Sequence, residues 1–170
     1  MTRKIRILQP EAIERLKRDL KKAETDWDFL SSIGGRGAVA EFEEKFSMVV
    51  DGKYAIALNN ATCAIFTALM ASGVNQGDEV ILPSYTWPQT LTPVIMTGAT
   101  PVFADIEEDT VTISSESVER LISKKTKAII GVHLFGYPAD VEALGKIAKK
   151  HKCTLIYDAA QGFGATVNNK

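Results

Sequence analysis

Residues Thr126 to Asp158 read TKAIIGVHLFGYPADVEALGKIAKKHKCTLIYD. Ile129-Ile130-Gly131-Val132 is apolar without a break, and Cys153 to Tyr157 reads as a second continuous apolar strand. Runs of this kind, without period-two alternation, mark strands buried on both faces. Between them, Val141 to His151 has helical spacing and is entered from Asp140, a residue suited to capping a helix N-terminus. Strand, helix and strand in this order predict a parallel pair with the helix as its crossover.

Working outward, the same alternation continues toward the N-terminus. Ser115 to Ser123 predicts a helix with Ser114 or Ser115 as its cap, and Thr100 to Ala104 predicts a strand. Pro88 to Met96 predicts a helix with Pro88 in its first turn, where proline is tolerated, and Pro93 inside it implies a kink. Glu79-Val80-Ile81-Leu82 is a strand after the Gly77-Asp78 turn. Thr62 to Ala71 is apolar almost all round, which predicts a deeply buried helix. Tyr54 to Leu58 has strand character, and Glu41 to Val50 predicts a helix with Phe42, Phe46, Val49 and Val50 on one side. Ser31 to Gly37 reads as a glycine-rich loop. Pro10 to Glu24 carries Ile13, Leu16 and Leu20 at helical spacing, opposite a face rich in lysine and arginine that reads as solvated. The fold class that follows is α/β, a three-layer α/β/α arrangement around a mostly parallel sheet.

The chain has 170 residues, 45 % of them apolar and 24 % charged, enough for a sizeable core. A formal net charge of -1 provides no basic stripe for nucleic acid. No apolar run reaches the roughly 18 residues of a membrane span, and the polar N-terminus lacks a secretory h-region, so the expectation is a cytoplasmic protein. Cys63 and Cys153 lie far apart and predict reduced thiols rather than a bridge or metal ligands.

In parallel sheets ligands sit beyond the carboxyl ends of the strands. Three such ends carry unusual residues. Asn59-Asn60-Ala61-Thr62-Cys63 precedes a helix, and its free N–H groups suit a phosphate, although Asn60 or Thr62 could simply cap the helix. Pro83-Ser84-Tyr85-Thr86-Trp87-Pro88 offers a Tyr and a Trp that could fill core or form a flat surface for an aromatic ligand. Tyr157-Asp158-Ala159-Ala160-Gln161-Gly162-Phe163-Gly164-Ala165 places a carboxylate after an apolar strand. There Asp158 must be hydrogen-bonded or paired if buried, as a partner for a cationic ring nitrogen or as the cap of the next turn. His133 ends the preceding strand and reads as a structural hydrogen-bonder. Nothing resembles a metal cluster, a Ser-His-Asp set or a Cys-His pair.

Taken together, Gly37 to Phe46 (GAVAEFEEKF), Asn60 to Ile65 (NATCAI), Gly77 to Thr90 (GDEVILPSYTWPQT), Pro101 to Ile106 (PVFADI), Thr126 to Asp140 and Asp158 to Ala165 (DAAQGFGA) resemble the DegT/DnrJ/EryC1/StrS family. These are pyridoxal-phosphate enzymes of fold type I, mostly sugar aminotransferases. The resemblance implies pyridoxal 5'-phosphate as cofactor. Ala61, Thr62 and Cys63 would hold its phosphate, Trp87 would stack on its ring, Asp158 would pair with the ring nitrogen, and Gln161 would bond the phenolic oxygen. It also implies a homodimer, an amino donor such as glutamate or glutamine, and a keto-sugar or cyclitol acceptor.

Three departures stand out against the family. Ala61 occupies a place usually held by glycine, and must take a backbone conformation alanine can bear. Gln89 and Phe163 stand where other residues are usual. The family's Schiff-base lysine lies beyond the Asp-Ala-Ala-Gln motif, and no lysine here matches it, Lys170 included. The resemblance therefore implies a helical segment and loop over 1–36 and an incomplete cofactor-binding large domain over 37–170, without the C-terminal small domain. No catalytic residue is expected in this chain, and the lysine is expected from a complementary C-terminal chain or segment. Two alternatives are a non-catalytic partner of a full-length homologue, and half of a dehydratase or epimerase of the same family.

Overall fold

The computed structural model describes residues 10–24 and 37–168. The chain divides into two compact units, Met1–Ala57 and Leu58–Lys170. The expected loop over Ser31 to Gly37 lies outside the described residues apart from Gly37, and so does Lys170.

The first unit contains α1 (Pro10–Ala23) and α2 (Gly37–Val49), neither of which buries a residue. Their apolar stripes are real but unburied: Leu16, Leu20, Phe42 and Val49 are all exposed. Local contacts hold α2, with Lys45 paired to Glu41 one turn back and Phe42 against Phe46 at 5.5 Å. The Glu43 carboxylate accepts the Ala57 N–H at 2.7 Å. The strand expected over Tyr54 to Leu58 is not formed. An apolar run supplies propensity, but a strand also needs a neighbour to exchange backbone hydrogen bonds with. No described strand pairs with this segment, and Tyr54 and Ile56 are each 78 % exposed.

The second unit runs α3 (Ala61–Ala71), β1 (Glu79–Pro83), α4 (Pro88–Met96), β2 (Thr100–Ala104), α5 (Ser115–Leu121), β3 (Thr126–Val132), a short 3-10 turn (Leu134–Gly136), α6 (Val141–His151) and β4 (Thr154–Asp158). The sheet is four-stranded in the order β2-β1-β3-β4, and every pairing is parallel. Side chains alternate across it. Val80 and Leu82 of β1 and Ala128, Ile130 and Val132 of β3 pack with Ile65 and Leu69 of α3 and Val94 of α4. Ile81 and Ile129 face the other way, onto Val118 of α5 and Leu144 and Ala148 of α6. This is the three-layer α/β/α arrangement expected. Each fully buried Leu or Ile stabilises it by roughly 1.5–3 kcal/mol.

The expectation of double burial holds for β1 and β3 but not for β2 or β4, whose side chains are mostly half-buried. Those two are the outer strands of the described sheet. Helix α3 is likewise less deeply buried than its composition suggests: only Ile65 and Leu69 are buried, because a single helix layer touches the sheet along one stripe. Helix α4 runs from Pro88 to Met96 with Pro93 inside it and buried. Asp140 caps α6 as expected, its carboxylate accepting the Ala143 N–H at 2.9 Å. Among the described residues no helix is long and apolar enough to cross a membrane.

Gly131 lies beside Tyr157 across the β3–β4 pair, and a Cβ there would stand 2.8 Å from the Tyr157 ring. Gly131→Ala is therefore expected to lower the urea midpoint at unchanged m, by about 1–3 kcal/mol of stability.

Candidate functional site

Parallel pairing brings the ends of β1, β3 and β4 to one edge of the sheet, and the three loops singled out by sequence converge there. Ala61, Thr62, Trp87, Asp158 and Gln161 line one cleft. Cys63 does not line it.

Helix α3 begins at Ala61, and Asn60 caps it: the Asn60 side chain accepts the Cys63 N–H at 2.8 Å. Of the two caps that the sequence allowed, Asn60 is the one formed. The Cys63 N–H is consumed by the cap, while the N–H groups of Ala61 and Thr62 belong to the first turn, where no intrahelical carbonyl can reach them. Ala61 is not among the residues with positive φ, so the alanine sits there without strain.

Trp87 immediately precedes Pro88 and so takes an extended backbone (φ -67°, ψ 134°). Its side chain is 64 % exposed, and that of Tyr85 is exposed too, so neither is core filler. The indole instead forms part of the cleft wall beside Gln89.

Asp158 is fixed through both oxygens. Its Oδ1 accepts the Ala160 N–H at 3.1 Å, capping the following turn. Its Oδ2 accepts the Thr90 hydroxyl at 2.8 Å. The Thr90 hydroxyl in turn lies 3.2 Å from that of Thr86. Among the described residues no lysine or arginine is paired with Asp158. A carboxylate has about four lone-pair positions, so two protein donors leave room for a cationic N–H.

Gln161 Oε1 accepts the Phe135 N–H at 3.0 Å. Phe135 makes that N–H available by adopting a left-handed conformation, φ 54°, followed by Gly136 at φ 85°. Since a main-chain N–H requires an acceptor, the contact fixes which end of the Gln161 amide is oxygen, and its NH2 remains for another acceptor.

His133 sits behind this edge in a structural role. Its Nδ1 accepts the Ala139 N–H at 3.1 Å, its ring stacks on Tyr157 with centroids 4.9 Å apart, and its backbone N–H donates to the Asp158 carbonyl at 3.0 Å. Gly162 makes this possible, because a Cβ there would meet the His133 Cβ at 2.5 Å. Burial lowers the His133 pKa, against the opposing pull of the Asp158 charge, and burial raises that of Tyr157 to about 12.

Sequence reading missed Thr86 and Thr90. Their spacing of four across the start of α4 was visible, but the partner of Thr90 is 68 residues away and no local pattern announces it.

The description "DegT/DnrJ/EryC1/StrS aminotransferase family" belongs to a family model that matches residues 18–170. A GDP-perosamine synthase of Vibrio cholerae is 38 % identical over 139 residues, which is 81 % of this chain and 38 % of that protein. An aminotransferase from Psychrobacter cryohalolentis superposes with a TM-score of 0.85 at 35 % identity, over 94 % of this chain and 39 % of its own. NtdA from Bacillus subtilis, solved with bound cofactor PMP, gives a TM-score of 0.86 at 32 % identity, over 94 % of this chain and 36 % of its own. The chain thus spans about two fifths of the length of the relatives it matches.

With its pKa held below the ordinary 6.5 in the fold, His133 stays neutral where the unfolded chain's histidine is protonated. The stability this confers is present above pH 6.5 and is lost as pH falls toward the folded value. His133→Asn, which keeps an acceptor for Ala139, is expected to be less stable at about pH 7.5 yet to lose less melting temperature than the native chain on acidification to about pH 5.5.

Proposed function

The chain belongs to the DegT/DnrJ/EryC1/StrS aminotransferase family, and from that premise we propose that it forms the N-terminal part of a pyridoxal-phosphate-dependent aminotransferase. The reaction moves an amino group from glutamate or glutamine to a keto-sugar or cyclitol. The cofactor-anchoring lysine comes from a further C-terminal segment or a complementary chain, and the working assembly is a homodimer.

The observation that carries this reading is the convergence of three dissimilar groups in one cleft: a carboxylate at the end of β4, an exposed indole at the end of β1, and the N-terminus of α3. Each suits a different part of the cofactor. The carboxylate of Asp158 would face the protonated ring nitrogen, a charge-assisted contact stronger than a neutral hydrogen bond. Trp87 would cover one face of the ring. The N–H groups of Ala61 and Thr62 and the Thr62 hydroxyl would take phosphate oxygens, aided by the helix dipole. Cys63 would contribute less than sequence suggests, since its N–H already serves Asn60. The NH2 of Gln161 would donate to the phenolic oxygen. Bound there, the cofactor supplies an electron sink for the substrate carbon that loses its proton. The part played by Asp158 is to keep the ring nitrogen cationic and thereby preserve that sink.

The test is to combine this chain with a C-terminal segment that carries the family's lysine. A complex with a visible cofactor absorption band, made permanent by borohydride, is expected, together with transfer of an amino group from glutamate or glutamine. Absence of both complex and band would sink the proposal. In the active complex Asp158→Asn is expected to lower kcat on the order of 100-fold, the scale seen when one charge-stabilising group is removed.

A further inference from the structure

Thr90 is a buried hydroxyl whose hydrogen bond its own helix does not need. It is 1 % exposed, in the first turn of α4. A helical threonine commonly bonds back to the carbonyl four residues earlier, and its neighbour Thr92 does so, donating to the Pro88 carbonyl at 3.2 Å. Thr90 instead sends its proton across the layer to Asp158 Oδ2 at 2.8 Å. A hydroxyl has a single proton, so in the 3.2 Å contact between the two threonines Thr86 must donate and Thr90 accept. The result is a directed series, Thr86 to Thr90 to Asp158.

We propose that Thr90 is a positioning residue for Asp158, with Thr86 orienting the Thr90 hydroxyl, and that this pair sets the angle at which the carboxylate meets a cationic ring nitrogen. The inference rests on the cofactor reading of the cleft. The terminal torsion of an aspartate is broad, so a carboxylate held through one oxygen can still turn. Ala160 holds Oδ1 from only two residues further along the chain, in the turn that follows β4. Thr90 holds Oδ2 from a different element, which ties the carboxylate to the body of the fold. Donors polarised in series also strengthen one another.

Thr90→Val keeps the β-branched shape and removes only the hydroxyl; Thr90→Ser keeps the hydroxyl and removes a methyl. In the cofactor-free chain, NMR of the Asp158 carboxyl carbon and the Ala160 amide is expected to shift in Thr90→Val and to return toward native values in Thr90→Ser. Pyridoxal 5'-phosphate affinity, followed by tryptophan fluorescence, is expected to fall about 10- to 100-fold in Thr90→Val, the scale of a hydrogen bond to a charged group. Thr90→Ser should recover most of that loss, and Thr86→Val should cost less than Thr90→Val. Far-UV circular dichroism should stay native in all three. Unchanged NMR signals in Thr90→Val, or a Thr90→Ser variant as impaired as Thr90→Val, overturn the positioning role. Native NMR responses in a chain that never binds the cofactor, even with its C-terminal complement, would instead overturn the cofactor reading and leave the hold of Thr90 on Asp158 intact.

Discussion

Ile129 and Ile130 are successive residues on β3, both fully buried, yet they belong to different cores. One faces α5 and α6, the other α3 and α4. Adjacent side chains on a strand point to opposite faces, so a strand apolar at every position can be satisfied only when both faces are covered. Covering both faces with short connections requires crossover helices, and crossovers make the strands parallel. Parallel strands end together. The meeting of the loops after β1 and β4 at one edge of the sheet is therefore a consequence of the apolar character of β1 and β3, while the turn before α3 follows no formed strand and is held there by the packing of Ile65 and Leu69 on the sheet.

The site inherits its geometry from that edge. Asp158 is in register with Val132, and the next residue of the β3 chain, His133, donates its N–H to the Asp158 carbonyl. The backbone of Asp158 is thus fixed by the sheet, and its carboxylate by Ala160 and Thr90. Each layer of support comes from a different scale of structure: a ladder, a turn, and a side chain on another helix.

Much of this was legible in the sequence. The apolar runs of β1, β3 and β4 carry their own signal, as do the cap at Asp140 and the small-residue turn before α3. What was not legible depends on partners. Tyr54 to Leu58 has the composition of a strand, but composition cannot say whether a neighbour is present, and none pairs with it among the described residues. Thr62 to Ala71 looked buried on all sides because apolarity alone does not say how many layers a helix touches. Thr90 was invisible for the same reason, since its role is defined by a carboxylate on another element. The sequence left Asn60 and Thr62 open as caps of α3, and only the fold shows that Asn60 takes the Cys63 N–H.

The left-handed turn at Phe135 has a reach beyond its own loop. Because a main-chain N–H, rather than a rotatable side chain, dictates which way the Gln161 amide points, the polarity of that spot in the cleft is hard-wired. The NH2 of Gln161 faces outward as a donor, beside an Oε1 that already accepts one main-chain N–H. At this point the side chain offers two N–H protons against one remaining lone pair, which weights the spot toward an accepting oxygen, and reversing that weighting would require rebuilding the turn as well as the side chain.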